Sequence, residues 1–463
     1  MKRRTFGLLA STGLASLAGM RIEPAKAQSA PDASLLQTTL TPMGGERAGN
    51  ADGSIPAWTG GYSTVPAGFK PGDYIGELWP DEQPTLVIDS SNVSQYADKL
   101  AEGCVAMVQK YGFTMKVYPT HRTACAPQSV YDRIAANVAT ATLNSQGPQL
   151  GFTGAFGGIP FPIPDANDPL AAGAQIIWNQ NSTWRGYACQ QEYQSWSVSN
   201  GQQSLAYGCT EQEKYPFYQA KSLDTYNGIL YQQDSPYWAP PNLVGQNIIV
   251  WAYSEPYKNP QAVWELLNGQ GRVRRAPEVS FDTPSPQANG IANYDEYYGF
   301  NGSLERYDWK LLGKKEMYIP YNNNKLYGAT PQAALLTHFI DPDLIRWELH
   351  RVWVVEATLH PGERNVDARR RMYVDEDTFL IGTNDIWDAN NELVKTTHVF
   401  NHVRPELPGT IYGQSVIYNL QTADYVTVAG IWDQAAKPGG ILFYDDFPEN
   451  LTDPQEMAAN AQY

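Results

Sequence analysis

Hydrophobic positions follow two periods along this chain. In the first part they recur every three or four residues; from about residue 184 onward they recur every two. Tyr96, Leu100, Cys104, Met107, Val108 and Tyr111 share one stripe, so 92–111 reads as an amphipathic helix. Ser129 to Leu143 repeats the pattern, with Ser129 as N-cap and Val130, Ile134 and Val138 on one face. Asp168-Pro169 offers a capping carboxylate and then proline at the first helical position, which predicts a short third helix through Ile177 and Trp178.

The period-two stretch predicts strands. Asn247 to Tyr253 reads as one. Arg346 to Thr358 is the clearest, with Trp347, Leu349, Arg351, Trp353 and Val355 on one face and Glu348, His350, Val352, Val354 and Glu356 on the other. Turn signals follow at His360-Pro361-Gly362, Asp375-Glu376-Asp377 and Asp388-Ala389-Asn390-Asn391. Strand-length runs at this spacing, without intervening helices, predict an antiparallel meander. A sheet that wide has to curl or be covered to bury its apolar face. Two Gly/Pro-rich stretches, 40–61 and 151–165, read as irregular, the first running over the surface of the rest.

Composition narrows the class. Hydrophobic residues make up 42% and aromatics 12%, enough to build a core, which argues against disorder. A formal charge of -15 argues against a nucleic-acid partner. The first 27 residues read as a leader: Lys2, Arg3 and Arg4, an apolar stretch from Gly7 to Met20, then Ala25-x-Ala27 before the cleavage point. Arg3-Arg4-x-Phe6 favours twin-arginine export over the general secretory route. Both lead to the periplasm, leaving 28–463 as one domain with an irregular N-terminal segment and a C-terminal tail. No later segment is apolar enough for a helical membrane span. Four cysteines in an oxidising compartment allow three pairings. The sequential one, Cys104–Cys125 and Cys189–Cys209, closes two loops, each worth about 3 kcal/mol by chain entropy.

Catalytic motifs are missing. The chain has no Gly-x-Ser-x-Gly, Ser-x-x-Lys, His-Glu-x-x-His or phosphate-binding loop, and nothing in it calls for a cofactor or a metal. His398 and His402, on an extended segment, would lie about 13 Å apart and read as solvated strand residues. His350 reads as a hydrogen-bonded wall residue, and Asp375-Glu376-Asp377 as a polar hairpin turn rather than a calcium loop. Trp251, Trp264, Trp309, Trp347 and Trp353 all fall in the strand-rich half. Together they suit a curved sheet with a roomy apolar interior for a lipid-like ligand, with Arg351 as headgroup partner or lid ion pair.

Several long stretches are idiosyncratic: LTPMGGERAGNADGSIPAWTGG, KVYPTHRTACAPQSVYD, GGIPFPIP, GQGRVRRAP, FNGSLERYDWKLLGKKEMYIPYN and DLIRWELHRVWVVEATLHPGERN. Taken in order, they resemble the bacterial exported proteins of the domain-of-unknown-function 1329 family. The resemblance implies an α+β, mainly antiparallel fold like that of LolA and LolB: a large curved half-barrel sheet with helices packed in its concave face. It also implies kinship with lipoprotein-sorting carriers, and association with a resistance-nodulation-division-type transporter or an outer-membrane protein. It carries no catalytic residues. WNQN at 178–181, where the family pattern has a histidine in fourth place, and the four cysteines depart from that pattern.

The reading that follows is a soluble periplasmic carrier or binding protein for a hydrophobic or lipid-like molecule, favoured over two alternatives: a hydrolase acting on a lipid, ester or polymer, and a structural partner of an envelope transporter complex. A hydrolase would need His350, His338 or His398 within reach of a nucleophile or carboxylate in a cleft. A structural partner of an envelope transporter complex would need a large exposed apolar patch.

Overall fold

Two antiparallel meanders build the molecule. The computed structural model describes residues 31–267, 272–276, 282–448 and 452–457, so the expected leader and the end of the expected tail lie outside the described residues. Two short strands, β1 (Leu86–Ile88) and β2 (Met115–Val117), come first. The first meander comprises β3 (Ala188–Ser199), β4 (Gln202–Lys214), β5 (Ile229–Ala239), β6 (Asn247–Tyr253), β7 (Ala262–Leu266) and β8 (Val273–Arg275). The second comprises β9 (Tyr307–Pro320), β10 (Trp347–Leu359), β11 (Arg369–Asp375), β12 (Ile381–Trp387), β13 (Leu393–Val399), β14 (Ser415–Asn419) and β15 (Tyr425–Val428), and β16 (Ile441–Tyr444) follows.

These strands form one sheet. The meanders join where β15 pairs with β3 through Tyr425↔Val198 and Val426↔Ser197, and β16 pairs with β3 beside them. Strands β8 and β9 each pair on one side only, so the sheet is open, not a closed barrel. The fold is α+β and mainly antiparallel, as the period-two pattern implied.

Three longer helices accompany the sheet: α1 (Glu102–Tyr111), α2 (Gln128–Thr140) and α3 (Pro169–Asn181). Helix α3 starts as its sequence requires, with the Asp168 carboxylate accepting from the Leu170 and Ala171 amides at 3.1 Å. Helix α1 starts ten residues later than 92, after two 3-10 turns at Val93–Gln95 and Ala97–Lys99. Asp89 and Asn92 hydrogen-bond to nearby amides there and hold the chain in turns instead of α-helix.

Strand β9 shows how register redirects side chains. Tyr307, Trp309, Leu311, Met317 and Ile319 are all buried and all odd-numbered. A bulge between Leu311 and Gly313 pairs Trp309 with Ala357 but Met317 with His350, which puts them on opposite faces of β10. Gly313 has φ +135, a conformation that favours glycine.

Both faces of the second meander are covered. One carries Arg371, Asp385, Thr396 and His398 and receives α1: Gly103 N donates to Asp385 at 3.1 Å and Glu102 pairs with Arg371 at 2.7 Å. The other carries Arg370 and Lys395 and receives the segment Tyr294–Gly299, whose Asp295 and Glu296 pair with them at 2.6 Å. Arg369, Arg370 and Arg371 alternate between these faces: Arg369 and Arg371 lie over the Trp387 ring, and Arg370 is fully buried.

The structure corrects two expectations. All four cysteines are free, buried thiols. Cys189 sits opposite Glu213 and Cys209 opposite Tyr193, four ladder positions apart on adjacent strands. That offset is about 13 Å, far beyond disulfide reach. Cys104 lies on α1 with its sulfur 3.5 Å from His398, while the Cys125 sulfur approaches the Tyr62 carbonyl at 3.3 Å. The second correction concerns His398 and His402. Both are buried, and they belong to different sheets, because His402 starts a separate hairpin (His402–Arg404 with Gly409–Ile411).

Candidate binding site

Along β3, β4 and β5, one face holds Cys189, Gln191 and Tyr193, then Cys209, Glu211 and Glu213, then Tyr231, Gln233, Ser235 and Tyr237. This face is covered by other parts of the chain, yet it is polar and tyrosine-rich rather than aliphatic. Burying such groups is unfavourable unless they find partners, and most do. Glu211 accepts from Gln233 Nε2 at 2.6 Å and Ser235 Oγ at 3.2 Å. The Tyr215 hydroxyl donates to Glu213. Gln180 and Tyr412 bond to each other twice, at 2.6 and 2.9 Å.

Arg185 is the exception. It lies in the link between α3 and β3 and stays partly exposed. Its guanidinium lies 4.5 Å from the ring centre of Tyr412, 5.3 Å from Tyr215 and 5.9 Å from Tyr231. Among the described residues it makes no hydrogen bond and no ion pair, and its Nε is buried without a partner. Burial opposes its charge, but the oxygens of Tyr215, Tyr412 and Glu213 outweigh that, so the guanidinium stays charged. Burial, and then the neighbouring Glu213, push the Glu211 carboxyl well above the usual carboxylate range. At neutral pH the chamber therefore offers a fixed cation, ring faces and hydroxyl donors.

Tyr298 and Tyr412 close the chamber. Their rings stack with centres 5.0 Å apart. Between them, Arg185, Tyr193 and Tyr215 lies a hollow of about 10 Å³, room for about one water molecule. A second hollow of the same volume lies beside His402, Tyr327 and Arg404.

The residues singled out from the sequence lie elsewhere. Trp251 and Trp264 meet edge to face at 5.2 Å on β6 and β7, in a small cluster with Ile249, Leu266 and Met457. Trp309 is buried against Phe300 at 4.8 Å, and Trp347 is buried between Phe113 and His398. Trp347, Arg351 and Trp353 do share a face of β10, with Lys314 4.4 Å above the Trp353 ring. Arg351 pairs with Glu376 at 3.2 Å and Glu46 at 3.5 Å, ties to a turn and to the irregular N-terminal segment. None of the six lines the hollow beside Arg185.

The aromatic lining there is tyrosine. The sequence carried a signal for it in the alternation of Cys189, Gln191 and Tyr193 and of Cys209, Glu211 and Glu213. Reading the two cysteines as a disulfide hid that pattern.

Other polar clusters are structural ties. Asp375, Glu376 and Asp377 form a turn as expected, but a buried one, clamped by Arg122, Lys314 and Arg351. His350 is the expected wall residue, with Nε2 3.1 Å from Glu348 and its ring stacked on Tyr321. Among the described residues two side-chain groups have metal-ligand spacing, His350–Asp375–Asp377 and Asp295–Glu296–Asp367. Arg122 occupies the first, and Arg370 and Lys395 the second. The Cys104–His398 contact has nucleophile–base proximity, but burial holds the thiol well above its ordinary range and pushes the imidazole down to about 3. The pair is a neutral contact inside the core, without the thiolate that chemistry requires.

The chain matches the family described as "Protein of unknown function (DUF1329)" over residues 87–442. It belongs to the DUF1329 family. A relative from Pseudomonas aeruginosa, "Uncharacterized protein PA3922", is 37% identical over 442 residues, covering 92% of this chain and 93% of its own. A solved DUF1329 protein from Desulfovibrio piger superposes with a TM-score of 0.43 at 13% identity, over 63% of this chain and 99% of its own. The LolA superfamily protein NE2245 from Nitrosomonas europaea gives 0.35 at 10% identity, over 61% and 97%. All residues of the DUF1329 chamber, from Arg185 to Tyr412, lie within the matched span. Among the described residues no helix is long and apolar enough to cross a membrane.

Proposed function

We propose that this DUF1329 protein is an exported, periplasmic binding protein that carries a hydrophobic or lipid-like molecule in the bacterial envelope. The observation that carries this reading is the Arg185 chamber: a cation without a hydrogen-bonding or ionic partner among the described residues, ringed by tyrosines, on the covered face of an open sheet. Ring faces supply apolar contact, and a few polar groups orient a client. The leader-like N-terminus supports export. The family resemblance alone supports a resistance-nodulation-division-type transporter or an outer-membrane protein as the delivery partner.

The chamber admits only a water-sized body as it stands. Loading therefore requires the segment carrying Tyr298 and the loop carrying Tyr412 to move off the strands. Native mass spectrometry of gently purified protein, followed by organic extraction, tests the reading. A co-purifying lipid or amphiphile is expected. Protein that is consistently empty and also ignores added lipids and hydrophobic dyes would overturn it. No observation favours a hydrolase: where a thiol and a carboxylate meet on the Arg185 hollow, Cys189 Sγ 3.9 Å from Glu213, burial holds the thiol well above its ordinary range.

A further inference from the structure

Resting on the carrier reading, we propose that Arg185 receives an acidic head, a carboxylate or a phosphate, and that Tyr298 and Tyr412 gate its entry. The client is then an amphipathic anion. A guanidinium can engage aromatic rings through its flat faces and acids through its in-plane N–H groups. Arg185 engages Tyr412, Tyr215 and Tyr231 in the first way. Its N–H groups have no acceptor among the described residues. A buried donor is normally satisfied, so the buried Nε marks a place for an acceptor. A fork of parallel N–H groups matches the paired oxygens of a carboxylate or phosphate.

The local anions do not compete. Glu213 is held by the Tyr215 hydroxyl and lies 3.9 Å from the Cys189 sulfur. Glu211 is held by Gln233 and Ser235 and is pushed by burial towards its neutral form. The same facts disfavour a cationic client, since neither carboxylate is free to receive one. The water-sized hollow bordered by Arg185 is where one acid oxygen would sit.

The gate has its own signature. Tyr298 has φ +56, left-handed backbone that is costly for a bulky side chain. Its ring stacks on Tyr412, the ring closest to the Arg185 guanidinium. The strained residue thus borders the same hollow as the unpaired cation, on a segment whose other anchors, Asp295 and Glu296, hold the opposite meander.

The test uses the mature full-length protein and three probes with one acyl chain: oleate, oleoyl lysophosphatidate and neutral monoolein. Binding is followed by intrinsic fluorescence below the aggregation concentration of each probe. Wild type is expected to prefer at least one acid over monoolein by about tenfold or more. Which acid binds separates a carboxylate client from a phosphate one. Arg185→Gln should lower affinity for the preferred acid about tenfold more than affinity for monoolein, so that the preference is lost, and Arg185→Lys should retain part of it. Equal binding of all three probes, or a preference intact in folded Arg185→Gln, overturns the anchor and leaves the carrier reading standing. Binding of none of them, with an empty lipid extract, overturns both. If Arg185→Gln does not fold, Arg185→Lys decides: a severalfold loss of acid preference supports the anchor, and an unchanged preference overturns it.

Discussion

Asp234 illustrates how single residues set the pH response. It is buried on β5, where its carboxyl accepts from Asn247 Nδ2 at 2.8 Å. Burial pushes its carboxyl up to about 7, with the Asn247 bond pulling the other way. An acid whose folded pKa exceeds its unfolded value holds its proton longer in the native state. Its contribution to stability is complete below pH about 4 and is lost as pH rises through 7. Wild type should therefore lose stability relative to Asp234→Asn at about 1.4 kcal/mol per pH unit across that window. Urea unfolding of both proteins at several pH values reads this difference directly. A difference independent of pH would show that Asp234 is ionised in the folded state. The comparison isolates Asp234 from Asp375 and Asp385, which are raised to about 6, and from His398, lowered to about 3.

At the scale of elements, the helices dock through glycines. A Cβ on Gly173 of α3 would meet the Trp309 carbonyl oxygen at 2.5 Å and the Lys310 nitrogen at 2.8 Å. These are backbone atoms of β9, so nothing flexible can yield. A Cβ on Gly103 of α1 would meet the Thr396 and Asp385 side chains. Gly173→Ala gains helix propensity but lifts the helix from the strand. Overpacking of this kind costs about 1–3 kcal/mol, more than the ~1 kcal/mol that alanine gains. The variant should melt at a lower temperature than wild type, by calorimetry. An unchanged or higher melt would mean that α3 is not seated against β9. The small-residue run Ala171-Ala172-Gly173-Ala174 is legible in the sequence as helix, but what it approaches is not.

The whole molecule is tied together by contacts across long stretches of chain. Arg122 donates to Asp377 at 2.6 and 2.7 Å, a partner 255 residues away. It also donates to the carbonyls of Glu46, Arg47, Ala48 and Pro56, so it fixes the irregular N-terminal segment onto the acidic turn between β11 and β12. Arg122→Met strips the cation from a buried carboxylate. The loss should be about 3–5 kcal/mol in urea unfolding, and limited proteolysis should newly cleave between residues 46 and 58. Protection there equal to wild type would show that other contacts hold this segment.

Local rules made part of this architecture legible. The Asp168-Pro169 helix start, the strand Asn247–Tyr253 and the shared face of Trp347, Arg351 and Trp353 follow from capping, propensity and a two-residue period within a few positions of chain. The antiparallel meander followed from turn spacing. The sequence by itself therefore determined the elements, their class and the family. Tertiary structure decided the rest, for reasons of register and partnership. The bulge at Gly313 sends odd-numbered residues of one strand to opposite faces. The pairing of β15 with β3 merges the meanders into one sheet. A four-position offset keeps Cys189 and Cys209 apart. Buried charge is favourable only when a partner arrives, and Arg122 meets Asp377, and Arg370 meets Asp295, from distant segments. For the same reason the lack of an acceptor for Arg185 among the described residues becomes visible only in the folded chain.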